Sequence, residues 1–409
     1  MLERMEKQNR IFSGFDADAI DRTTAADLAE VGSDKWTRYP GCIGAFIAEM
    51  DYGLAPCIQQ AIDSACDHCK LGYIPEPWKR RVAEACAGWQ KSHYGWDVDP
   101  DIIRVVPDVL EAYEIFLREL VGAGNAVVVP TPAYMPFLSV PKLYDVDVIE
   151  IEMLQGTDET TGEREWLFDF DAIERAFAAG CHAFVLCNPH NPIGKVLTLA
   201  EEQRLCELAE RYDVRIFNDE IHAPFVYQGH THVPFASINR QTAMQAFTST
   251  SASKSFNIPG TKCAQVILTN PDDLELWMRN AEWSEHQTAT IGAIATTAAY
   301  DGGAAWFEGV MAYIERNIAL VNEQMRTRFA KVRYVEPQGT YIAWLDFSPL
   351  GIGDPANYFF KKANVALTDG RECGEVGRGC VRMNFAMPYP LLEECFDRMA
   401  AALEAGGLL

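Results

Sequence analysis

The segment FTSTSASKSFNIPGTK, residues 247–262, places Lys254 among small hydroxyl-bearing residues directly after a predicted short strand. Gly260 and a second cation, Lys262, follow within eight positions. Short side chains leave room for a planar ring, and the hydroxyl groups with Lys262 offer hydrogen-bond donors to phosphate oxygens. The segment therefore suits an amine that condenses with an aldehyde beside a phosphate. Taken alone, it is equally compatible with a serine-rich turn carrying an exposed lysine.

The bulk properties predict a large globular protein that does not bind nucleic acid. At 409 residues the chain exceeds the size at which one core keeps growing, so two lobes are expected. Hydrophobic residues make up 48% of the chain, which is ample for a buried core and excludes wholesale disorder. The net charge of −23 repels nucleic acid and anionic membranes, so neither is a predicted partner.

The twelve cysteines are scattered, and many lie in apolar runs where they are typical of small core residues. Cys66 and Cys69 have CxxC spacing, but no second pair follows, so we predict that they pack in the core of a helix over residues 56–70. No metal site is predicted. The charged N-terminus is unlike a signal peptide and no apolar run reaches membrane-spanning length, so the expected compartment is the cytoplasm.

From about residue 46 to about residue 289, short apolar runs alternate with helical patterns. The predicted strands are residues 126–129, 147–151, 183–187, 214–217, 247–250 and 265–268, and the predicted helices include 56–70, 110–121 and 199–212. This alternation predicts an α/β domain with a mostly parallel sheet flanked by helices. In such sheets ligands bind beyond the carboxyl ends of the strands.

The pattern changes after about residue 290. A helix over 306–328, strands over 340–346 and 380–385, and a terminal helix over 389–405 predict a smaller α+β domain. We therefore predict an N-terminal arm over residues 1–45 that contributes to the small domain, a large cofactor-binding domain over 46–289, and the small domain over 290–409.

Two further loops with polar residues follow predicted strands. In CNPHNPIGK, residues 187–195, two Asn-Pro pairs force turns and present Asn191 as a held amide donor. After strand 214–217, Asp219 can accept a hydrogen bond from a protonated pyridine nitrogen, and His222 can reach a phenolic oxygen. Alternatively, the first loop is a structural turn, and Asp219 is a helix cap beside a packed histidine. Together with Lys254, however, the loops predict a pyridoxal phosphate site.

At this point the chain resembles the fold-type I pyridoxal-phosphate enzymes of the aspartate aminotransferase superfamily, and most closely the MalY/PatB-type cystathionine β-lyase group. The resemblance runs from about residue 15 to about residue 405. The motifs that carry it are SDKW (33–36), AEMDY (48–52), LGY (71–73), GWDVDP (95–100), PAYMPF (132–137), NPHNPIG (188–194), DEIH (219–222), SKSFN (253–257), GTY (339–341) and VRMNF (381–385). AEMDY and DEIH favour this group over ordinary transaminases.

The resemblance implies a role for each motif residue in cofactor binding. Lys254 would bond to the cofactor aldehyde and later move the substrate Cα proton, and Asp219 would pair with the ring nitrogen. Asn191 and His222 would address the ring hydroxyl, and Tyr134 would stack on the ring. The implied phosphate ligands are the side chains of Ser251, Ser253 and Lys262 and the backbone amides of Val109 and Leu110 at a helix start.

The resemblance also implies a homodimer with its active sites at the interface. Tyr73 matches a residue that such enzymes donate to the neighbouring subunit's site. Arg382 matches the arginine that grips the substrate α-carboxylate in a bidentate fork, although an arginine on a strand is also compatible with a structural ion pair.

Three positions depart from the group's usual pattern. Asp108 stands where glycine is usual before the phosphate helix, so its carboxylate should point away from the anion unless the loop differs. Pro224 stands where an acidic residue is common, which would reshape the rim of the site. Phe46 replaces a frequent tryptophan near the entrance.

The predicted function is a carbon–sulfur β-lyase that cleaves cystathionine or related cysteine S-conjugates to a thiol, pyruvate and ammonia. An aminotransferase acting on a small L-amino acid is the alternative, because both reactions need the same cofactor contacts. A transcriptional regulator built on a pyridoxal-binding domain is disfavoured, since the family motifs begin near Phe15 and the chain is acidic.

Overall fold

The computed structural model describes residues 14–157, 162 and 164–409. The strands in chain order, β1 to β15, are Ile43–Gly44, Ile103–Val106, Ala126–Thr131, Asp147–Glu152, Leu154–Thr157, Arg164–Leu167, Ala183–Cys187, Arg215–Asp219, Ala246–Thr250, Ala264–Ile267, Arg333–Tyr334, Ile342–Asp346, Val365–Ala366, Thr368–Asp369 and Cys380–Asn384. The α-helices, α1 to α16, are Ala17–Asp21, Ala25–Val31, Asp34–Thr37, Pro56–Asp67, Glu76–Tyr94, Val109–Phe116, Met135–Ser139, Phe170–Ala178, Leu199–Tyr212, Arg240–Gln245, Ala252–Ser255, Pro271–Leu276, Thr290–Gly302, Ala304–Thr327, Pro355–Ala363 and Tyr389–Ala405.

The larger sheet within these residues has seven strands in the order β2-β10-β9-β8-β7-β3-β4. The pairs β9-β8, β8-β7, β7-β3 and β3-β4 are parallel, whereas β10 runs antiparallel to both of its neighbours. The predicted fold class, a mostly parallel sheet flanked by helices, is confirmed. Strand β2 is an addition to the strands predicted from the sequence.

Helices cover both faces of this sheet. On one face, α8 and α9 bury Ile173, Phe177 and Leu205 against Phe184 and Ile216. On the other face, α6 packs with residues of β3 and β9 in a separate core. Because β7 is buried along its whole length, its sequence is a continuous apolar run without alternation.

A second sheet, β11-β12-β15-β14, follows residue 289, and helices α14 and α16 pack together in the same core. The N-terminal arm joins this part of the chain, since β1 pairs in parallel with β13. Helix α13, the first after residue 289, packs against α4 and α5. The domain boundaries at residues 45 and 289 stay a prediction.

The prediction for Cys66 and Cys69 was wrong, because both side chains are exposed. Helix α4 ends at Asp67, and Cys69 lies beyond it with a positive φ of 53°. The helix turns only Ile58 and Ala65 fully into the core. An apolar helical pattern therefore overstated the width of the buried face.

Candidate active site

A cavity of about 450 Å³ opens where the loops after β7, β8 and β9 meet the segment 46–48 and strand β15. That volume is within the ordinary range of about 300–1,000 Å³ for small-molecule sites. The cavity collects every predicted site residue except Tyr73. These lining residues are Val109, Leu110, Tyr134, Asn191, Asp219, His222, Ser251, Ser253, Lys254, Lys262 and Arg382.

Lys254 enters the cavity from the short helix α11, which follows β9 directly. Its Nζ donates a hydrogen bond to the carbonyl of Ala48 at 2.8 Å. Burial, together with the charge of Arg382, lowers the pKa of Lys254 to about 8. An amine with this pKa is partly unprotonated near neutral pH, which nucleophilic attack on an aldehyde requires.

Asp219 is the last residue of β8 and is buried at the cavity floor. Its Oδ1 accepts a hydrogen bond from the Ile221 amide at 3.0 Å. Burial raises the pKa of this carboxyl to about 7, with Glu220 adding to the rise. A cationic ring nitrogen beside Asp219 would favour its ionised form.

His222 lies three residues after Asp219 in the chain and is also buried. Burial lowers its pKa to about 3, and the nearby charges of Lys254 and Arg382 act in the same direction, so the imidazole is neutral. Its Nδ1 is buried without a hydrogen-bond partner. A buried nitrogen of this kind is available to a ligand.

Asn191 and Arg382 meet across the cavity. The Nη1 of Arg382 donates to Asn191 Oδ1 at 3.3 Å, and its Nη2 donates to the carbonyl of Phe46 at 2.7 Å. Among the residues described, no carboxylate lies within ion-pair distance of Arg382. The alternative that Arg382 is half of a structural ion pair therefore has no support in this geometry.

Glycine is required at position 194 in the loop that carries Asn191. Gly194 has a φ of +68°, and a Cβ there would collide with Pro337 and the carbonyl of Gly339. The NPHNPIG turn thus packs closely against Pro337 and Gly339, which precede strand β12. This close approach holds Asn191 near Arg382.

Side chains from several elements hold the irregular segment 46–50, which forms one wall of the cavity. Asn384 donates to the carbonyls of Ile47 and Glu49 at 2.6 and 2.7 Å, and Tyr341 donates to the carbonyl of Ala48 at 3.1 Å. Tyr341 and Asn384 belong to the GTY and VRMNF motifs, and the sequence predicted no role for either residue. Their contacts are long-range, so no local pattern could have identified them.

A buried ion pair supports the same segment. Lys35 Nζ donates to Asp51 Oδ2 at 2.7 Å and to the carbonyl of Glu49 at 3.1 Å, and Trp36 Nε1 donates to Asp51 Oδ1 at 2.8 Å. Burial raises the pKa of Asp51, and Lys35 opposes that rise. Lys35 and Trp36 of the SDKW motif therefore have a structural role, because they hold Asp51 and the carbonyl of Glu49 in place.

The predicted phosphate ligands gather at the N-terminus of α6. Val109 and Leu110 are its first two residues, and the first amides of a helix have no partner within the helix. The Ser251 hydroxyl donates to the carbonyl of Cys263 at 3.0 Å and accepts from the Ser253 amide at 3.0 Å. Lys262 lines the same end of the cavity from a left-handed backbone position.

The Asp108 carboxylate does not point away from the cavity, and the alternative expectation, a loop that differs from that of the group, stays a prediction. Asp108 lines the cavity, caps α6 through the Glu111 amide at 2.9 Å, and accepts from Lys262 Nζ at 2.7 Å. The Asp108 carboxylate therefore engages the ammonium group predicted to bind the anion, whereas the amide that it accepts from is that of Glu111 and not those of Val109 or Leu110.

The other two departures differ in their placement. Phe46 lines the cavity mouth and packs against Tyr39 with ring centroids 5.2 Å apart. Pro224 is not among the residues that line the cavity, so it does not form the rim directly.

Tyr73 is the one predicted site residue outside the cavity. Its side chain is 93% exposed, in the loop between α4 and α5. Thr290 Oγ1 donates to the carbonyl of the adjacent Gly72 at 2.6 Å, which anchors the loop. Within this chain Tyr73 therefore faces outward from the site.

The residues present fit pyridoxal phosphate. The cavity offers a lysine with a lowered pKa, a buried carboxylate, an unpartnered imidazole nitrogen and a helix N-terminus beside a cation. Across residues 14–157 and 164–409, no cluster of three or more His, Cys, Asp or Glu side chains is arranged to hold a metal ion. No helix in those ranges is long and apolar enough to cross a membrane.

The comparisons with known proteins agree with this site. The family model for aminotransferase class I and II matches residues 49–399. The chain is 32% identical to a cystathionine beta-lyase of Corynebacterium glutamicum, over 90% of this chain and 96% of the relative. It is 30% identical to cystathionine beta-lyase PatB of Bacillus subtilis, over 88% and 92%. The crystal structure of cystalysin from Treponema denticola, which contains pyridoxal 5′-phosphate, superposes with a TM-score of 0.86 at 27% identity, covering 94% of this chain and 98% of that one.

Fold and site together define a fold-type I pyridoxal-phosphate-dependent enzyme. The chain belongs to the aminotransferase class I and II family, whose members act on small amino-acid substrates. The predicted resemblance and the predicted cofactor are both confirmed.

Proposed function

We propose that this protein is a pyridoxal-phosphate-dependent carbon–sulfur β-lyase that cleaves cystathionine or related cysteine S-conjugates to a thiol, pyruvate and ammonia. Relatives at 30–32% identity over most of the chain carry the name cystathionine beta-lyase, which supports the reaction class. The observation that carries the proposal is one cavity that contains an amine, a buried carboxylate and an arginine without an ion-pair partner among the described residues.

When bound, pyridoxal phosphate supplies an electron sink that stabilises negative charge at the substrate Cα. In the proposal, Lys254 would bond to its aldehyde and Asp219 would hold the ring nitrogen, while Asn191 and His222 would bind the ring hydroxyl and Tyr134 would stack on the ring. Ser251, Ser253, Lys262 and the amides of Val109 and Leu110 hold the phosphate.

Arg382 binds and orients the substrate. Its two Nη atoms donate to Asn191 and to the carbonyl of Phe46, which holds the guanidinium plane in place. A carboxylate can accept two parallel N–H bonds from such a fork. With the α-carboxylate held there, the Cα–H bond would have to face Lys254, which lines the same cavity.

Lys254 moves the proton. The substrate amino group would first displace Lys254 from the cofactor aldehyde, which frees the lysine amine. That unprotonated amine removes the Cα proton, the electron pair left at Cα forms a Cα–Cβ double bond, and the Cβ–S bond breaks so that the thiolate leaves with the electron pair of that bond. The Lys254 ammonium can return the proton to the thiolate. The released enamine then takes up water and yields pyruvate and ammonia, so that no external oxidant or reductant is needed. Because Lys254 has a pKa of about 8, it can accept and release this proton near neutral pH.

The proposal includes a homodimer in which Tyr73 completes the neighbouring site. The 93% exposure of Tyr73 and its neighbour Leu71, which is 62% exposed, supports a surface that a second copy covers. The proposed compartment is the cytoplasm, because cysteine residues such as Cys187 and Cys395 are free and buried as small apolar groups.

Product analysis of the purified protein tests the reaction. With L-cystathionine and L-cystine we expect pyruvate and ammonia in equal amounts, together with the released sulfur product, and no requirement for an added keto acid. If turnover instead needs a keto acid from a panel and transfers the amino group to it, the enzyme is an aminotransferase and the lyase proposal is wrong.

A further inference from the structure

The phosphate end of the cavity contains a carboxylate that already occupies one of the groups predicted to hold a phosphate, the ammonium of Lys262. Asp108 Oδ2 lies 2.7 Å from Lys262 Nζ, and Asp108 Oδ1 accepts the amide of Glu111 at 2.9 Å. Both Asp108 and Lys262 line the cavity beside Val109 and Leu110. The carboxylate is thus placed at the helix N-terminus, where the helix dipole favours any anion.

Asp108 cannot leave this position without a cost. It is the N-cap of α6, and losing a side-chain cap typically costs about 0.5–2 kcal/mol. A phosphate that enters the cavity would therefore meet a carboxylate that stays near the helix start. The nearby Glu111 is engaged through its Oε1, which accepts from Ser284 Oγ at 2.7 Å.

We propose that Asp108 is a built-in competitor of the cofactor phosphate, which pairs with Lys262 when phosphate is absent and lowers the affinity of the site for phosphorylated ligands. The inference concerns the phosphate end alone, so it holds for β-elimination and for transamination alike.

The size of the effect follows from the exposure of the pair. The Lys262 and Asp108 side chains are 56% and 41% exposed, so water and salt screen their charges. The Asp108 carboxylate and the phosphate of a bound ligand therefore repel each other by a moderate amount. Removing the charge of Asp108 should therefore raise the affinity for a phosphorylated ligand by about 3- to 30-fold.

The test compares Asp108→Asn with wild type, using ligands that cannot bond covalently to Lys254. Asparagine keeps an oxygen acceptor for the Glu111 amide and removes the charge. Isothermal titration of the cofactor-free protein would measure binding of pyridoxine 5′-phosphate and, as the ligand control, pyridoxine. Asp169→Asn is the matched control variant, because Asp169 caps α8 through the Ala172 amide at 2.8 Å and does not line the cavity.

We expect Asp108→Asn to bind pyridoxine 5′-phosphate more tightly, to bind pyridoxine like wild type, and to lose most of its gain in 1 M salt. Asp169→Asn should change neither affinity. Unchanged or weaker binding of pyridoxine 5′-phosphate by a folded Asp108→Asn protein would overturn the proposal, as would an equal gain for pyridoxine. Thermal unfolding of each variant establishes that it is folded.

A double-mutant cycle tests the competition for Lys262 itself. If Asp108 engages Lys262, then Lys262→Gln should cost more affinity for pyridoxine 5′-phosphate in the Asp108→Asn protein than in wild type, because only the freed ammonium binds the phosphate fully. Equal costs in the two backgrounds would show that the two residues do not compete, and would overturn this part of the proposal.

Discussion

Lys254 combines two properties that a free lysine lacks, a lowered pKa and a fixed position. Burial and the charge of Arg382 both disfavour its ammonium form. The carbonyl of Ala48 accepts its hydrogen bond and directs the amine into the cavity. The position and the pKa of Lys254 therefore depend on Ala48 and Arg382, which lie about 200 and 130 positions away in the sequence.

The pH dependence of cofactor attachment should report this pKa. Below about pH 8 Lys254 is protonated and not nucleophilic, so attachment of pyridoxal 5′-phosphate should speed up as the pH rises through about 8 and then level off. Stopped-flow absorbance of the cofactor-free protein measures the rate. Because Arg382 lowers the Lys254 pKa, Arg382→Met should move the midpoint to higher pH, whereas Arg333→Met should not. A wild-type midpoint at the ordinary lysine value would contradict the assignment.

Arg382 should determine substrate affinity through the geometry of its fork. Arg382→Lys keeps the charge but loses the two parallel donors, so kcat/KM for cystathionine should fall by about 10- to 1000-fold. Steady-state kinetics measures the loss, and a titration with pyridoxal 5′-phosphate should remain close to wild type.

The matched control for this substitution is Arg333→Lys. Arg333 lies on β11 of the same sheet, is exposed, and pairs with Asp346 at 3.4 Å. This control should keep wild-type kinetics. If Arg382→Lys instead bound cystathionine normally and lost pyridoxal 5′-phosphate, Arg382 would belong to the cofactor site and not to the substrate site.

At the scale of elements, adjacent strand ends bring the chemistry together. Asp219 ends β8, the Asn191 loop follows β7, and Lys254 follows β9, while β7, β8 and β9 are neighbours in the parallel part of the sheet. The segment 46–50 forms a further wall of the cavity and has no regular structure of its own. Side chains of β15, the 339–341 segment and α3 hold it in place.

Removing the hydrogen bonds of Asn384 should therefore destabilise both the fold and the site. Asn384 is buried, and Asn384→Ala leaves the carbonyls of Ile47 and Glu49 without these donors, so the free energy of unfolding should drop by about 2–4 kcal/mol. Chemical denaturation measures the drop. Asn280→Ala, which removes one exposed bond to Glu119, should cost less than about 1 kcal/mol. Equal costs for the two variants would show that the 46–50 segment does not need Asn384.

At the scale of the whole molecule, the proposed homodimer would bring Tyr73 of one subunit to the site of the other. Tyr73 should act in the neighbouring subunit of a dimer, so two impaired variants should complement each other. Mixing refolded Tyr73→Phe and Lys254→Ala chains should restore about a quarter of wild-type activity, because random pairing gives half heterodimers and each heterodimer has one intact site. Each variant alone should be strongly impaired. Verified heterodimers without recovered activity would place Tyr73 outside the site.

The sequence alone determined the features that depend on local order along the chain. The apolar runs predicted β7 and the terminal helix α16 with their observed bounds, since a fully buried strand and an amphipathic helix each have their own periodicity. The order of Asn191, Asp219 and Lys254 after three strands predicted one shared site, because the carboxyl ends of parallel strands meet at one edge of a sheet.

Only the tertiary structure decided the features that depend on contacts between distant residues. The pairing of Asp108 with Lys262, 154 positions apart, sets the direction of that carboxylate. The support of segment 46–50 by Asn384, and the exposure of Cys66, depend on which surfaces meet after the chain has folded. Periodicity and motif order report local geometry and strand order, whereas the direction of a charged side chain is decided by the partner that folding brings within hydrogen-bond distance.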